Sequence, residues 1–163
     1  MGRWTRFLTN VRAMAGRVFA FVKEPSRTAR QKAEFDVARR EFHFQRERLE
    51  AKFFELAASS GKPRGLRWSE CEFENDVTYA RQRSGGRLCA FVAVTISFEA
   101  IEGGMMEGVE AVGNLRAATA VFHRNAARWD TDGRALFNLS PSEAISYYQD
   151  NLVMVGHEPA VRA

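Results

Sequence analysis

The 163-residue sequence has only two cysteines and three histidines, and neither residue type is spaced as a metal site requires. Cys71 and Cys89 show no Cys-x-x-Cys pattern, which argues against a zinc site and against a thioredoxin-like redox pair. We expect both thiols to be small buried residues in a reducing cytoplasm, with a single disulfide between them as the alternative. His43, His123 and His157 also lack paired spacing. No metal ion and no other cofactor is predicted.

Long apolar runs are missing as well. No stretch of 18 apolar residues is present, so the sequence predicts no membrane-spanning helix. Arg17 directly precedes the early apolar stretch "VFAFV" and interrupts the longer apolar segment that a cleaved export signal needs. Such a signal is therefore not expected. The predicted location is therefore the cytoplasm, with peripheral attachment to a membrane as an option.

The sequence also lacks a phosphate-binding loop. Its glycine-rich segment, residues 102–114, is not followed by Gly-Lys-Ser or Gly-Lys-Thr, and it carries three acidic residues that would repel phosphate. The segment is predicted to be a mobile connection between strands, or else a loop that contacts a ligand or partner through Met105 and Met106. No set of catalytic residues is predicted, and the chain is expected not to be an enzyme.

Acidic residues are absent from the first 23 positions, which carry five positive charges. The whole chain has a net charge of +4, so the remaining residues sum to −1. A protein that covers a nucleic acid is expected to show its excess positive charge on the folded body too. Because the excess here belongs to the opening segment, the distribution argues against a nucleic-acid partner.

The opening segment has the pattern of an amphipathic helix with a basic polar face. Its apolar residues recur every three or four positions, and the helix is predicted to end at Glu24, before Pro25. We predict that residues 1–24 form a basic arm and that its binding residues are Arg3, Trp4, Arg6, Phe7, Val11, Arg12, Arg17, Phe21 and Lys23.

Four roles for this arm are open. It can lie in an anionic membrane surface, pack on the domain over Phe44 or on a second copy in a homo-oligomer, direct the chain to an organelle, or contact nucleic acid. A helix that only fills a core has no reason to exclude Asp and Glu, which favours the membrane. The expected function is therefore a non-enzymatic binding module that associates with a membrane surface or a protein partner through this helix.

The rest of the chain predicts a single domain over residues 26–155 and a frayed tail over 156–163. A long helix is expected from an N-cap at Ser26 to Gly61, and a short helix begins at Ser140, where Pro141 and Glu143 complete a capping box. Between the two helices the period of the apolar residues changes from 3.6 to two. This change indicates strands near 66–74, 77–83, 87–99, 115–128 and 134–139.

These elements predict an α+β fold, with the long helix packed across a curved antiparallel sheet of four or five strands. The order of elements resembles cystatin-like and NTF2-like architectures in outline. That resemblance implies an alternative function, a small enzyme or ligand binder with a pocket between the long helix and the sheet, and His123 is its candidate residue.

Overall fold

The computed structural model describes residues 26–60 and 65–160, which form one long helix, a short helix and an antiparallel sheet. The fold is α+β, as predicted. The sheet has seven strands instead of four or five, and among the described residues its two outer strands do not pair with each other. The sheet is therefore open. The predicted N-terminal helix lies outside the described residues.

The long helix α1 runs from Arg27 to Ser60. Ser26 caps it as predicted, because its Oγ accepts a hydrogen bond from the backbone N–H of Ala29 at 3.2 Å. At 1.5 Å per residue the helix is about 50 Å long. One stripe of α1 is buried against the sheet, and it consists of Ala38, Phe42, Leu49, Phe53 and Ala57.

The strands are β1 (Leu66–Phe73), β2 (Val77–Gln82), β3 (Leu88–Ala100), β4 (Arg116–Asn125), β5 (Arg128–Asp130), β6 (Ala135–Phe137) and β7 (Leu152–Glu158). Their order is β5-β4-β3-β2-β7, with β1 beside the second half of β3 and β6 beside β4. The single strand predicted over 115–128 is divided because Ala126, with φ of 52°, turns the chain between β4 and β5.

Side chains of β3 alternate between two apolar clusters. Ala90, Val92 and Val94 belong to the main core under α1. Cys89 and Phe91 belong to a second cluster on the opposite face, which the short helix α2 (Pro141–Tyr147) covers. The sheet therefore has a helix on each face, and α2 covers only part of its face.

The predicted capping box of α2 is confirmed. Ser140 Oγ accepts a hydrogen bond from the backbone N–H of Glu143, and the backbone N–H of Ser140 donates to Glu143 Oε2 at 2.8 Å. Pro141 occupies the first turn, where its missing N–H costs nothing. This motif fixes where the chain leaves β6 and begins α2.

A two-residue loop at Gly85 and Gly86 would place Val92 opposite Tyr79, but the β2–β3 hairpin has a longer turn. Gln82 N–H donates to Arg87 O at 2.8 Å, so residues 83–86 form the turn. Tyr79 therefore lies opposite Ala90 and not opposite Val92. The register differs by two residues, and each side chain stays on the same face because side-chain direction alternates with a period of two.

The frayed tail predicted from residue 156 is wrong for residues 156–158, which belong to β7 and pair with β2. Two contacts hold this end of β7 against α1. The Phe35 ring lies so close to Gly156 that a Cβ there would come within 2.7 Å of the ring. Glu158 accepts hydrogen bonds from His43 and Tyr79. A glycine thus marks a close packing contact here and not a chain end.

Candidate functional site

The nine predicted binding residues of the opening segment all lie outside the described residues. The structure does describe the surface of α1 around Phe44, which the segment would cover in one of its four open roles. Phe44 is 92% exposed and Val37 is 41% exposed on the face of α1 turned away from the sheet. The Phe44 side chain is therefore almost fully open to solvent in the described part of the chain.

The two predicted loop methionines differ in their surroundings. Met105 is 83% exposed. Met106 packs against Gly65 and lines a shallow groove of about 350 Å³ with Leu66 and Phe98. The connection between β3 and β4 thus places one methionine in solvent and fixes the other on the end of the sheet.

His123 does not line a space between α1 and the sheet. It alternates with Phe122 along β4, and Phe122 is the residue that faces α1. Its cross-strand neighbour Asp130 forms an ion pair with Lys52 at 2.6 Å. The hydrogen bond from Lys52 is the main cause that lowers the pKa of Asp130, and the charge of His123 contributes to it. His123 is therefore part of a surface charge group at the sheet edge.

The interface between α1 and the sheet is filled with aromatic side chains where the alternative function expected a pocket. Five of them are completely buried and in edge or tilted contact with one another, namely Phe42, Phe53, Tyr79, Phe122 and Trp129. Trp129 Nε1 also donates a hydrogen bond to Ala38 O at 2.8 Å. A ligand pocket at this position finds no support in the packing.

An open groove instead lies on the other face of the sheet, beside the C-terminal end of α2. Its volume is about 430 Å³. We call it the α2 groove, and the residues that line it are Gln82, Ser84, Cys89, Phe91, Val121, Arg134, Leu136, Tyr148, Asn151 and Leu152. The α2 groove could not be recognised from the sequence, because its walls come from five separate elements.

Arg134 stands at the rim of the α2 groove in a fixed orientation. Its guanidinium lies 5.5 Å from the centre of the Tyr148 ring, and its Nη2 donates to the Tyr148 hydroxyl at 3.3 Å. Within residues 26–60 and 65–160 no carboxylate pairs with this guanidinium. An oriented cation at the mouth of an apolar groove is an arrangement that can recognise an anion.

Neither cysteine has the properties of a nucleophile. Both thiols are free, with Cys89 on the floor of the α2 groove and Cys71 half-buried beside α1. Burial raises the pKa of Cys71 to about 12 and also raises that of Cys89. Because the thiolate is the reactive form, these thiols are inert at neutral pH.

A second polar cluster joins β7 to α1. Glu158 Oε2 accepts from His43 Nε2 at 2.7 Å and from the Tyr79 hydroxyl at 2.9 Å, while Glu158 Oε1 pairs with Arg39 at 3.0 Å. We call these four residues the Glu158 cluster. Burial raises the pKa of Tyr79, so its hydroxyl stays a donor to Glu158. The cluster gives the hydroxyl of the buried Tyr79 an acceptor and fastens an edge strand to α1.

Comparison of the chain with protein-family models, with curated proteins and with solved structures finds no match. The described residues contain no group of three or more His, Cys, Asp or Glu side chains placed to hold a metal ion. No helix in the described part of the chain is long and apolar enough to cross a bilayer. The features that bear on function are therefore the charge pattern of the sequence and the geometry of the grooves.

Proposed function

We propose that this chain is a non-enzymatic binding module whose residues 1–23 attach the folded body to an anionic membrane surface. The observation that carries the proposal is the separation of charge along the sequence. Five basic residues and no acidic residue lie in the first 23 positions, while the rest of the chain sums to −1. The body alone therefore has no net attraction to an anionic surface.

The expected gain in binding energy supports a membrane surface over a nucleic acid. A basic residue near an anionic bilayer contributes about 1 kcal/mol, and five would contribute several kcal/mol. Trp4, Phe7 and Phe21 would add apolar burial in the interface, which a phosphate backbone does not offer. A peripheral, cytoplasmic location is part of this proposal.

The body supports a binding role more than a catalytic one. Both of its thiols are protonated at neutral pH, and the space between α1 and the sheet is filled. We also propose, from the order of elements alone, that the body has a cystatin-like or NTF2-like outline. Such a likeness concerns the fold and carries no activity.

The test compares two charge-matched variants of the full chain in a vesicle sedimentation assay. The first variant carries Arg3→Gln, Arg6→Gln and Arg12→Gln. The control carries Arg40→Gln, Arg116→Gln and Arg128→Gln at exposed positions of the body. With phosphatidylserine-containing vesicles we expect the first variant to bind about 100-fold more weakly and the control to bind like the natural chain.

Salt dependence provides the second part of the test. Binding should weaken between low and physiological ionic strength and should be much weaker on uncharged phosphatidylcholine vesicles, because exposed charges are screened. Equal loss of binding in both variants would contradict the proposal. If the first variant loses only self-association, residues 1–23 contact a second copy of the chain and not a membrane.

A further inference from the structure

The α2 groove combines an apolar floor with a cationic rim. Its floor consists of three buried residues from the cluster under α2, Cys89, Phe91 and Leu152, and of the half-buried Val121 and Leu136. The volume of about 430 Å³ lies in the range of small-molecule sites in proteins. The groove lies on the face of the sheet opposite α1, so it is not part of the main core.

The charges around the groove favour an anion. Arg134 is held over Tyr148 and has no ion-pair partner among the described residues. The positive charge of Arg87 also acts on Cys89, and in the described part of the chain its guanidinium donates to the neutral groups Gln82 Oε1 and Asn125 Oδ1. Asp132 carries the opposite charge nearby, and its Oδ1 accepts from the backbone N–H of Arg134. The Arg134 guanidinium at the rim is thus available to an anion.

We propose that the α2 groove binds a small organic carboxylate whose apolar body lies on the groove floor and whose carboxylate pairs with Arg134. A guanidinium presents two parallel N–H donors that match a carboxylate, and stacking on Tyr148 orients them before the ligand arrives. The apolar floor favours an alkyl or aryl carboxylate over inorganic phosphate, because a bound phosphate would leave the apolar side chains in contact with water.

Polar side chains along the rim complete the recognition. Gln82 and Asn151 lie where β2 ends and β7 begins, and Ser84 lies in the adjacent turn. Their amide and hydroxyl groups can donate further hydrogen bonds to the remaining lone pairs of the carboxylate oxygens. The site is therefore built from the end of the sheet at which α2 terminates. It does not depend on the proposed membrane function.

The test uses decanoate as the probe and decanol as its uncharged match, titrated into the full chain by calorimetry below their aggregation concentrations. We expect decanoate to bind at least about tenfold more tightly than decanol. In Arg134→Gln this preference should disappear. Arg128→Gln, at an exposed position at the end of the β4–β5 turn, is the matched control and should keep it.

Two further variants separate the groove from the opening segment. Ser84→Trp places a ring at the exposed mouth of the groove without changing the core, and it should weaken binding of both probes. The variant with Arg3→Gln, Arg6→Gln and Arg12→Gln should bind decanoate normally. Equal binding of decanoate and decanol would overturn the proposal. Decanoate binding that survives Arg134→Gln, or that is lost in the triple variant, would also overturn it.

Discussion

Glu158 shows how one carboxylate near the end of the described chain stabilises the packing of an edge strand. Burial by itself would raise its pKa, but the hydrogen bonds from His43 and Tyr79 and the charge of Arg39 outweigh that effect. The pKa of Glu158 is therefore held below its ordinary value of 4.5. A carboxylate with a lowered pKa in the folded state stabilises the fold above its unfolded pKa, and this contribution is lost as the pH falls through the folded pKa.

We predict that Glu158→Gln lowers the free energy of unfolding at pH 7 by about 1–2 kcal/mol, because hydrogen bonds to a charged group are replaced by weaker ones. The difference between variant and natural chain should shrink as the pH falls below 4.5, because the carboxylate is protonated first in the unfolded chain and then, at lower pH, in the folded one. Urea titrations between pH 3 and pH 7 measure this difference. A constant difference over that range would contradict the role of the charge.

The residues of the Glu158 cluster could not be recognised from the sequence. His43, Tyr79 and Glu158 lie on three elements, and no local spacing connects them. His157 and Glu158 fall in the segment predicted to be a frayed tail, in which Gly156 and Pro159 interrupt the apolar pattern. The signal that was present is the run from Leu152 to Val155, whose β-branched residues favour a strand.

At the scale of elements, the turn before β6 packs directly on α1. Gly133 has φ of 76°, and a Cβ there would lie 2.6 Å from Leu56 Cβ and 2.7 Å from the backbone N of Ala57. Gly85, in the β2–β3 turn, has φ of 78° but no atom within 4 Å of such a Cβ. The two glycines share a backbone conformation and differ only in what surrounds them.

This pair separates backbone strain from close packing. Gly85→Ala should lower the free energy of unfolding by about 1 kcal/mol, since the left-handed conformation disfavours a Cβ. Gly133→Ala should cost at least about 2 kcal/mol more, because either the turn or α1 must move. Thermal unfolding of both variants measures this difference. Equal destabilisation would mean that the turn is not packed on α1 as the structure has it.

The helices could be predicted from the sequence more closely than the strands. Ser26 and the capping box at Ser140 are local signals, and the apolar stripe of α1 repeats over its whole length. Strand pairing is not local. The predicted strand 115–128 is divided at Ala126, where an alanine adopts the positive φ. No glycine or proline at this position indicates a turn in the sequence. The α2 groove could not be predicted for the same reason, because its lining residues come from strands that are far apart in the sequence.

At the scale of the whole molecule, the two apolar clusters share their strands. Alternate residues of β3 belong to the main core and to the cluster under α2, so neither cluster can lose its packing without loosening the same backbone hydrogen bonds. The described body should therefore unfold as one cooperative unit. A boundary between two independently folding units would need few shared contacts, and β3 alone pairs with three other strands.

Phe91→Ala tests this coupling, because Phe91 lies in the cluster away from α1. Removing a buried phenylalanine side chain should cost about 3–4 kcal/mol and lower the melting temperature by roughly 10 °C. We expect calorimetry of this variant to show one transition whose calorimetric and van't Hoff enthalpies agree. The matched change Phe53→Ala, in the main core, should give the same single transition. Two resolved transitions in the Phe91 variant would mean that α2 and its cluster melt separately, and the sheet would then transmit no stability between its faces.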